Sequence, residues 1–253
     1  MINIILSGCN GKMGQVITRL VAEDDACKIV AGLDINDYIP NSYPVFTAIE
    51  DCTAEADVII DFSHPSALEP LLAYVTAHRI PAVIATTGLS AEQKEQLAEA
   101  AKEIPVFFSA NMSLGINLLI SLAKKAAALL EESFDIEIIE RHHNQKIDAP
   151  SGTALAIADG ISEVLKNPPE YVYDRHSVRR KRKKNEIGLH AVRGGTIVGD
   201  HEVLFAGNDE VIELKHSAAS KEVFAVGAVK AAKFLAGKRP GMYSMTELVN
   251  EIQ

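Results

Sequence analysis

Ile2-Asn3-Ile4-Ile5-Leu6-Ser7-Gly8-Cys9-Asn10-Gly11-Lys12-Met13-Gly14 opens the chain with a short apolar run that breaks into a glycine-rich turn. A brief β-branched run of this kind reads as a strand buried on both faces. Val16, Ile17, Leu20 and Val21 then recur at helical spacing. Lys28 to Leu33 is a second buried strand, ended by the carboxylate of Asp34. Strand, glycine loop, helix, strand and acid form the first unit of a dinucleotide-binding fold. Its glycines let the backbone approach a pyrophosphate resting on the helix N-terminus, and its acid accepts hydrogen bonds from ribose hydroxyls. The spelling is G-x-x-G-x-x-G, and a glycine pattern alone is weak. The flanking strand and helix, with Asp34 twenty positions beyond Gly14, supply the context that a simple helix-capping turn lacks.

The alternation continues outward from this unit. Ala56 to Phe62 is a strand, followed by a helix after Pro65. Ala82 to Ala85 is a strand ending at Thr86-Thr87-Gly88, and Ser90 caps the next helix. Val106 to Ser109 is another strand, ending at Ala110-Asn111-Met112. Strands alternating with helices imply parallel pairing in a Rossmann-like, doubly wound α/β sheet. Ligands gather at the carboxyl ends of such strands. The strand ends here are Gly8–Met13, Asp34, Asp61–Ser63, Ala85–Gly88 and Ser109–Met112, which border one crevice.

After Met112 the pattern changes. Ser113 to Leu130 reads as a largely buried helix, and Phe134 to Ile139 as a strand. Ala154 to Leu165 is a further helix, and from Ile187 strand-like runs dominate: Ile187–Val192, His201–Ala206 and Glu210–His216. This is an inserted α+β domain with a mixed or antiparallel sheet, spanning 113–220. Lys221 to Ala236 is helical again and is expected to return to the first domain, so that residues 1–112 are completed by 221–253.

Between that strand and helix lies Glu140-Arg-His-His-Asn-Gln-Lys-Ile-Asp-Ala-Pro-Ser-Gly-Thr-Ala154. It gathers two imidazoles (His142, His143), an ammonium (Lys146) and a Ser151-Gly152-Thr153 turn. Pro150 cannot sit inside a helix, so those three residues open the next one, where an anion is favoured. Imidazoles titrate near neutrality and suit general-acid work. The loop fits a carboxylate-bearing substrate that must be protonated. A histidine pair is commonly structural; Lys146 and the Ser-Gly-Thr turn shift the balance toward chemistry. Asp148 is expected to hold the loop by hydrogen bonds.

Composition narrows the remaining classes. With 253 residues, 47% hydrophobic and 23% charged, the chain is ordinary for a globular protein. The longest apolar run, Leu114 to Leu122, is shorter than a membrane span and is interrupted by Gly115, Asn117 and Ser121. Cys9, Cys27 and Cys52 lack metal-ligand spacing and cannot all pair, so reduced thiols, a cytoplasmic setting and no metal are expected. The net charge of −9 argues against nucleic-acid binding at large. Arg179-Arg180-Lys181-Arg182-Lys183-Lys184 is a local exception, readable as a nucleic-acid patch or, more commonly, a solvated loop.

His142-His143-x-x-Lys146-x-Asp148-Ala149-Pro150-Ser151-Gly152-Thr153-Ala154 resembles the signature of the dihydrodipicolinate reductases. The motifs Gly8-x-x-Gly11-x-Met13-Gly14, Asp61-Phe62-Ser63, Thr86-Thr87-Gly88, Asn111-x-Ser113-x-Gly115-x-Asn117, Arg193-Gly194-Gly195 and Pro240-Gly241-x-Tyr243-Ser244-Met245 agree in order along the whole chain. The resemblance implies hydride transfer from NADH or NADPH to a cyclic, unsaturated dicarboxylate with loss of water, in lysine and diaminopimelate biosynthesis. It implies His142 as proton donor and Lys146 as a second donor that also holds a carboxylate. His143, Ser151, Gly152 and Thr153 become substrate contacts. Gly8, Cys9, Asn10, Gly11, Lys12 and Met13 are expected at the pyrophosphate and Asp34 at the ribose. Ala85, Thr86, Thr87, Ser109, Ala110, Asn111 and Met112 are expected near the nicotinamide. It also implies a homotetramer built on the second domain's sheet, and domain closure over the substrate. Ile35 stands after Asp34 where NADPH-preferring members carry arginine, and Lys12 where the family often has arginine. An aspartate with no adjacent cation repels a 2′-phosphate, so NADH is the expected cofactor, with NADPH possible.

Overall fold

A computed structural model describes residues 1–251. The chain falls into two compact units, Met1–Leu114 joined by the segment from Glu222 onward, and Gly115–Lys221. In the first, β1 (Ile2–Ser7), α1 (Lys12–Ala22), β2 (Cys27–Leu33), β3 (Val45–Phe46), β4 (Val58–Asp61), α2 (Leu68–His78), β5 (Ala82–Ile84), α3 (Ala91–Ala100) and β6 (Pro105–Phe108) follow in order. Ser90 caps α3 in a reciprocal pair with Gln93, each side chain bonding the other's backbone N–H.

α4 (Leu114–Leu130) leads into the second unit. There β7 (Asp135–His142), α5 (Gly152–Ser162), β8 (Glu170–Val172), β9 (Glu186–Arg193), β10 (Gly199–Ala206) and β11 (Val211–Ala218) form a five-stranded mixed sheet ordered β11-β10-β7-β9-β8. β7 pairs parallel with β9 and antiparallel with β10. Burial alternates strictly along β7. Ile136 and Ile138 lie in a core with Ile116, Leu119 and Ala123 of α4 and Ile157 and Ile161 of α5. The period of two then carries Glu140 and His142 onto that same helix-covered face. The strand therefore delivers first core and then chemistry along one line.

The chain returns through α6 (Glu222–Leu235), β12 (Gly241–Tyr243) and α7 (Met245–Glu251). With β12, the first sheet has seven parallel strands ordered β12-β6-β5-β4-β1-β2-β3. Adjacent strand residues serve opposite faces: Ile4, Leu6 and Ile60 meet α1 and α6, whereas Ile5, Ile59 and Ile84 meet α2 and α3. Ala225, Ala228, Ala231, Ala232 and Leu235 of α6 are fully buried. A β-carbon on Gly227 would lie 1.7 Å from the Met112 carbonyl oxygen, so helix and strand-end backbone are in direct contact there. Among the described residues, no helix is long and apolar enough to cross a membrane.

The cationic run lies in an exposed loop, and four of its six side chains are tied to nearby carboxylates or carbonyls. Arg182 bonds Glu137 at 3.0 Å and Asp135 at 2.9 Å, Lys183 reaches Glu170 at 2.9 Å, and Lys184 donates to the Phe134 carbonyl at 2.7 Å. Arg180 and Arg175 both grip Glu186, whose side chain is fully buried. Hydrogen bonds from Arg175, and then Arg180, outweigh burial and hold the Glu186 carboxyl down at about 2. A carboxyl depressed in the folded state stabilises fully above its ordinary value, near 4.5, and loses that contribution as pH falls toward about 2. Pepsin cleavage within residues 173–185 is therefore expected to switch on between about pH 4 and pH 2 in the wild type, and by about pH 5 in Glu186→Gln. Identical profiles for the two proteins would show that Glu186 does not anchor the segment.

Candidate active site

In the first unit, Gly8 ends β1 with φ +76°, and a β-carbon there would sit 2.4 Å from the Phe62 carbonyl oxygen. Only glycine meets both conditions. Gly14 is equally constrained, since its β-carbon would lie 2.1 Å from the Gly8 oxygen. Gly11 is the N-cap of α1 and brings no side chain, so none competes for the amides of the first turn. Asp34 accepts from the Asn10 N–H at 2.9 Å and from the Asn36 N–H at 3.1 Å. Beside it lies a cleft of about 710 Å³, lined among others by Gly8, Asp34, Ile49, Phe62 and Leu71. A close-approach glycine turn, a carboxylate and an apolar wall fit a dinucleotide's pyrophosphate, ribose and adenine.

Other expected contacts divide by burial. Cys9 is fully buried, and burial, with the Asp34 charge adding, pushes its thiol up to about 11. Only its backbone is placed to meet a ligand, and its carbonyl already accepts from Gln15 at 3.0 Å. Thr86 is buried too. Its hydroxyl donates to Asp61 at 2.6 Å, while Ser7 and Ser63 bond the other carboxylate oxygen at 2.7 and 2.6 Å. Asp61 thereby ties together the ends of β1, β4 and β5. Lys12, Thr87 and Ala110 are exposed, and Met13, Ser109 and Asn111 are half-buried. Ala85 and the Met112 side chain belong to the core.

In the second unit, the strand expected to end at Ile139 runs three residues further, so that His142 is the last residue of β7 and the loop begins at His143. His142 is buried; His143, on the next position, is partly exposed. His142 Nδ1 lies 2.6 Å from Glu140 Oε2. Glu140, wholly buried, also accepts two hydrogen bonds from Arg193, each 2.7 Å, and one from the Ser151 N–H at 3.0 Å. Burial pushes its carboxyl up, but the bonds from Arg193, His142 and Ser151 together hold it below the usual carboxylate range. Arg193 bonds the Asp148 carbonyl as well, at 2.6 Å, and the Asp148 carboxylate pairs with Lys146 at 2.8 Å. One network thus joins His142 to the Lys146 loop.

Ser151 caps α5, its Oγ accepting from the Ala154 N–H at 3.1 Å, which starts the helix two residues before the expected Ala154. The same oxygen meets His201 Nε2 at 3.0 Å. Burial, with the neighbouring His142 adding, pushes His201 down to about 4, which keeps this ring neutral. Its ring stands edge-on to His142 with centroids 5.2 Å apart. Gly152 is exposed, with open space where a side chain would be, and Thr153 is half-buried beside it. Sequence reasoning passed over the side-chain roles of Glu140, Arg193 and His201. The available signal for Glu140 was its position two residues before His142 on an alternating strand.

Family models described as "Dihydrodipicolinate reductase, N-terminus" and "Dihydrodipicolinate reductase, C-terminus" match residues 2–112 and 115–249 respectively. The chain belongs to the dihydrodipicolinate reductase family. It is 57% identical over 251 residues to the 4-hydroxy-tetrahydrodipicolinate reductase of Caldanaerobacter subterraneus subsp. tengcongensis, covering 99% of both chains. It is 50% identical over 249 residues to that of Clostridium novyi, covering 98% of both. Among solved structures, a dipicolinate-bound dihydrodipicolinate reductase from Paenisporosarcina sp. TG-14 superposes with a TM-score of 0.81 at 28% identity, over 96% of this chain and 97% of that one. The C-terminal family match spans the residues around His142.

Proposed function

We propose that the protein reduces 4-hydroxy-tetrahydrodipicolinate to tetrahydrodipicolinate with a nicotinamide cofactor and loss of water, in lysine and diaminopimelate biosynthesis. The observation that carries this reading is the buried Glu140–His142–Arg193 network beside the open N-terminus of α5, in a chain so similar to relatives of that name. Residues 1–112, completed by 221–253, take the dinucleotide; residues 113–220 take the substrate.

The nicotinamide, when bound, supplies the hydride. His142 supplies the proton that the resulting negative charge requires. Lys146, with His143 and the Gly152 and Thr153 donors, holds the carboxylates. Because Asp148 pairs with Lys146 in the free protein, a substrate carboxylate must exchange with it. Ser151, fully engaged with Glu140, Ala154 and His201, acts as framework beneath these contacts. The long exposed edge of β11, with Val211 57% and Ile212 37% exposed, supports a homotetramer assembled through the five-stranded sheet.

NADH is the preferred cofactor in this reading. Asp34 carries a negative charge where a 2′-phosphate would sit, and the adjacent Ile35, 89% exposed, offers no cation. Asp34→Asn removes the charge while keeping an acceptor for the Asn10 or Asn36 amide. It is expected to lower the NADH-to-NADPH ratio of kcat/KM by about tenfold, the scale of one screened charge contact; an unchanged ratio would remove Asp34 from the preference.

The reaction itself is tested by generating the labile substrate in place with dihydrodipicolinate synthase and following NADH and NADPH oxidation separately. Substrate-dependent oxidation is the expected result. Folded protein that binds cofactor but oxidises neither would overturn the assignment.

A further inference from the structure

The second unit contains a buried carboxylate that does not face solvent and that the hydride and proton transfers do not consume. We propose that Glu140 is a positioning residue that fixes the tautomer of His142 and assigns the reacting proton to Nε2. This deepens the reading of His142 as proton donor and rests on it.

Hydrogen-bond inventory fixes which atom of the Glu140–His142 pair carries the proton. Arg193 can only donate, and it donates to both oxygens of Glu140, at 2.7 Å each; the Ser151 N–H can only donate, and it takes Oε1 at 3.0 Å. A carboxylate so surrounded remains an acceptor. The 2.6 Å contact from Oε2 to His142 therefore requires a hydrogen on Nδ1. With Nδ1–H committed, the other ring nitrogen must carry the exchangeable proton. The imidazolium gives up Nε2–H to the electron pair generated by hydride addition, forming one bond to hydrogen and breaking one. It relaxes to the neutral Nδ1–H tautomer that Glu140 already holds.

The other side of the ring agrees. Gly199 stands opposite His142 on β10, one step before the Asp200–Arg141 pair. A β-carbon at Gly199 would lie 3.0 Å from Nε2 and 3.4 Å from Cδ2, tighter than ordinary contact. The glycine thus leaves room at the nitrogen that Glu140 leaves free. Neutral His201, edge-on to the same ring, adds no competing charge.

Glu140→Gln reverses the logic. Its amide oxygen is drawn to Ser151 and Arg193, which turns the NH₂ toward Nδ1 and forces that nitrogen to accept. At a pH where the ring is neutral, long-range ¹H–¹⁵N spectra of the holoenzyme should show the His142 proton on Nδ1 in the wild type and on Nε2 in Glu140→Gln. The His142 signal is assigned by its loss in His142→Gln. kcat should fall by about 10²- to 10⁴-fold, the scale of a proton donor held in the wrong tautomer, with KM for NADH within about twofold. Glu140→Asp, which restores a carboxylate, should recover at least about tenfold of the loss. An unchanged tautomer, or a kcat within about threefold of wild type, would overturn the proposal.

If Glu140→Gln fails to fold, Gly199→Ala takes its place. It should lower kcat while leaving the Nδ1 tautomer intact, and an unaltered kcat would overturn the assignment to Nε2. Failure of the underlying reading is distinguishable: His142→Gln would then turn over normally. Collapse of His142→Gln with Glu140→Gln fully active sinks only the positioning role.

Discussion

His142→Gln is expected to bind cofactor as the wild type does and to lose about 10²- to 10⁴-fold in kcat, the range for removing a general acid. Glutamine matches the reach of the imidazole and can donate an amide N–H to Glu140, so the buried carboxylate keeps a partner and the strand end keeps its packing. It lacks an ionisable proton, and that is the sole function removed. Lys146→Ala should behave differently. It deletes a carboxylate contact as well as a donor, so KM for the substrate should rise together with the fall in kcat. The coupled assay at saturating NADH reads both. A loss of tenfold or less in His142→Gln would place the proton source elsewhere.

Arg193→Ala is expected to be the most destabilising single change in this site. Glu140 has 1% of its side chain exposed and Arg193 19%, and the two share a pair of 2.7 Å hydrogen bonds. Deleting the guanidinium leaves a carboxylate without its cation in a dry environment and frees the Asp148 carbonyl. Breaking a buried pair from one side costs about 3 kcal/mol or more. For a chain of this size that corresponds to a fall in Tm of roughly 6–12 °C. The double variant Arg193→Ala/Glu140→Ala should be less destabilised than the sum of the singles, because the second change removes the stranded charge. Calorimetry of the four proteins gives the coupling, and a Tm for Arg193→Ala within about 2 °C of wild type would contradict it.

Much of the first unit could be read from the sequence because its signals are local. A buried parallel strand is a short apolar run, and the constraint on Gly8 is written in the residue itself. The short strands β3, β8 and β12 carried no such signal. Each has two or three residues and exists because a neighbouring strand offers its edge, as β6 does for Met242. The proton-donating loop was legible because reactive side chains crowd into few residues. Its support was not, since Arg193 lies 53 positions from Glu140 and meets it only through the parallel pairing of β7 with β9. The cationic run reads correctly as a solvated loop, but its ion pairs were illegible for the same reason. Its partners Asp135, Glu137 and Glu170 come from distant segments, and a string of six like charges looks free until those segments are in place.

The return of α6 to the first sheet sets the order in which the molecule can be completed during synthesis. By the time Lys221 has left the ribosome, every strand and helix of the second unit has been made, so that unit can close its core on the nascent chain. The first unit cannot. Ile4, Leu6, Ile60 and Phe107 share a core with Ala225, Ala228, Ala231 and Leu235, which emerge only after the whole second unit. Until then α1 alone covers that face of a six-stranded apolar sheet, and a chain truncated before Glu222 would keep the part under α6 bare.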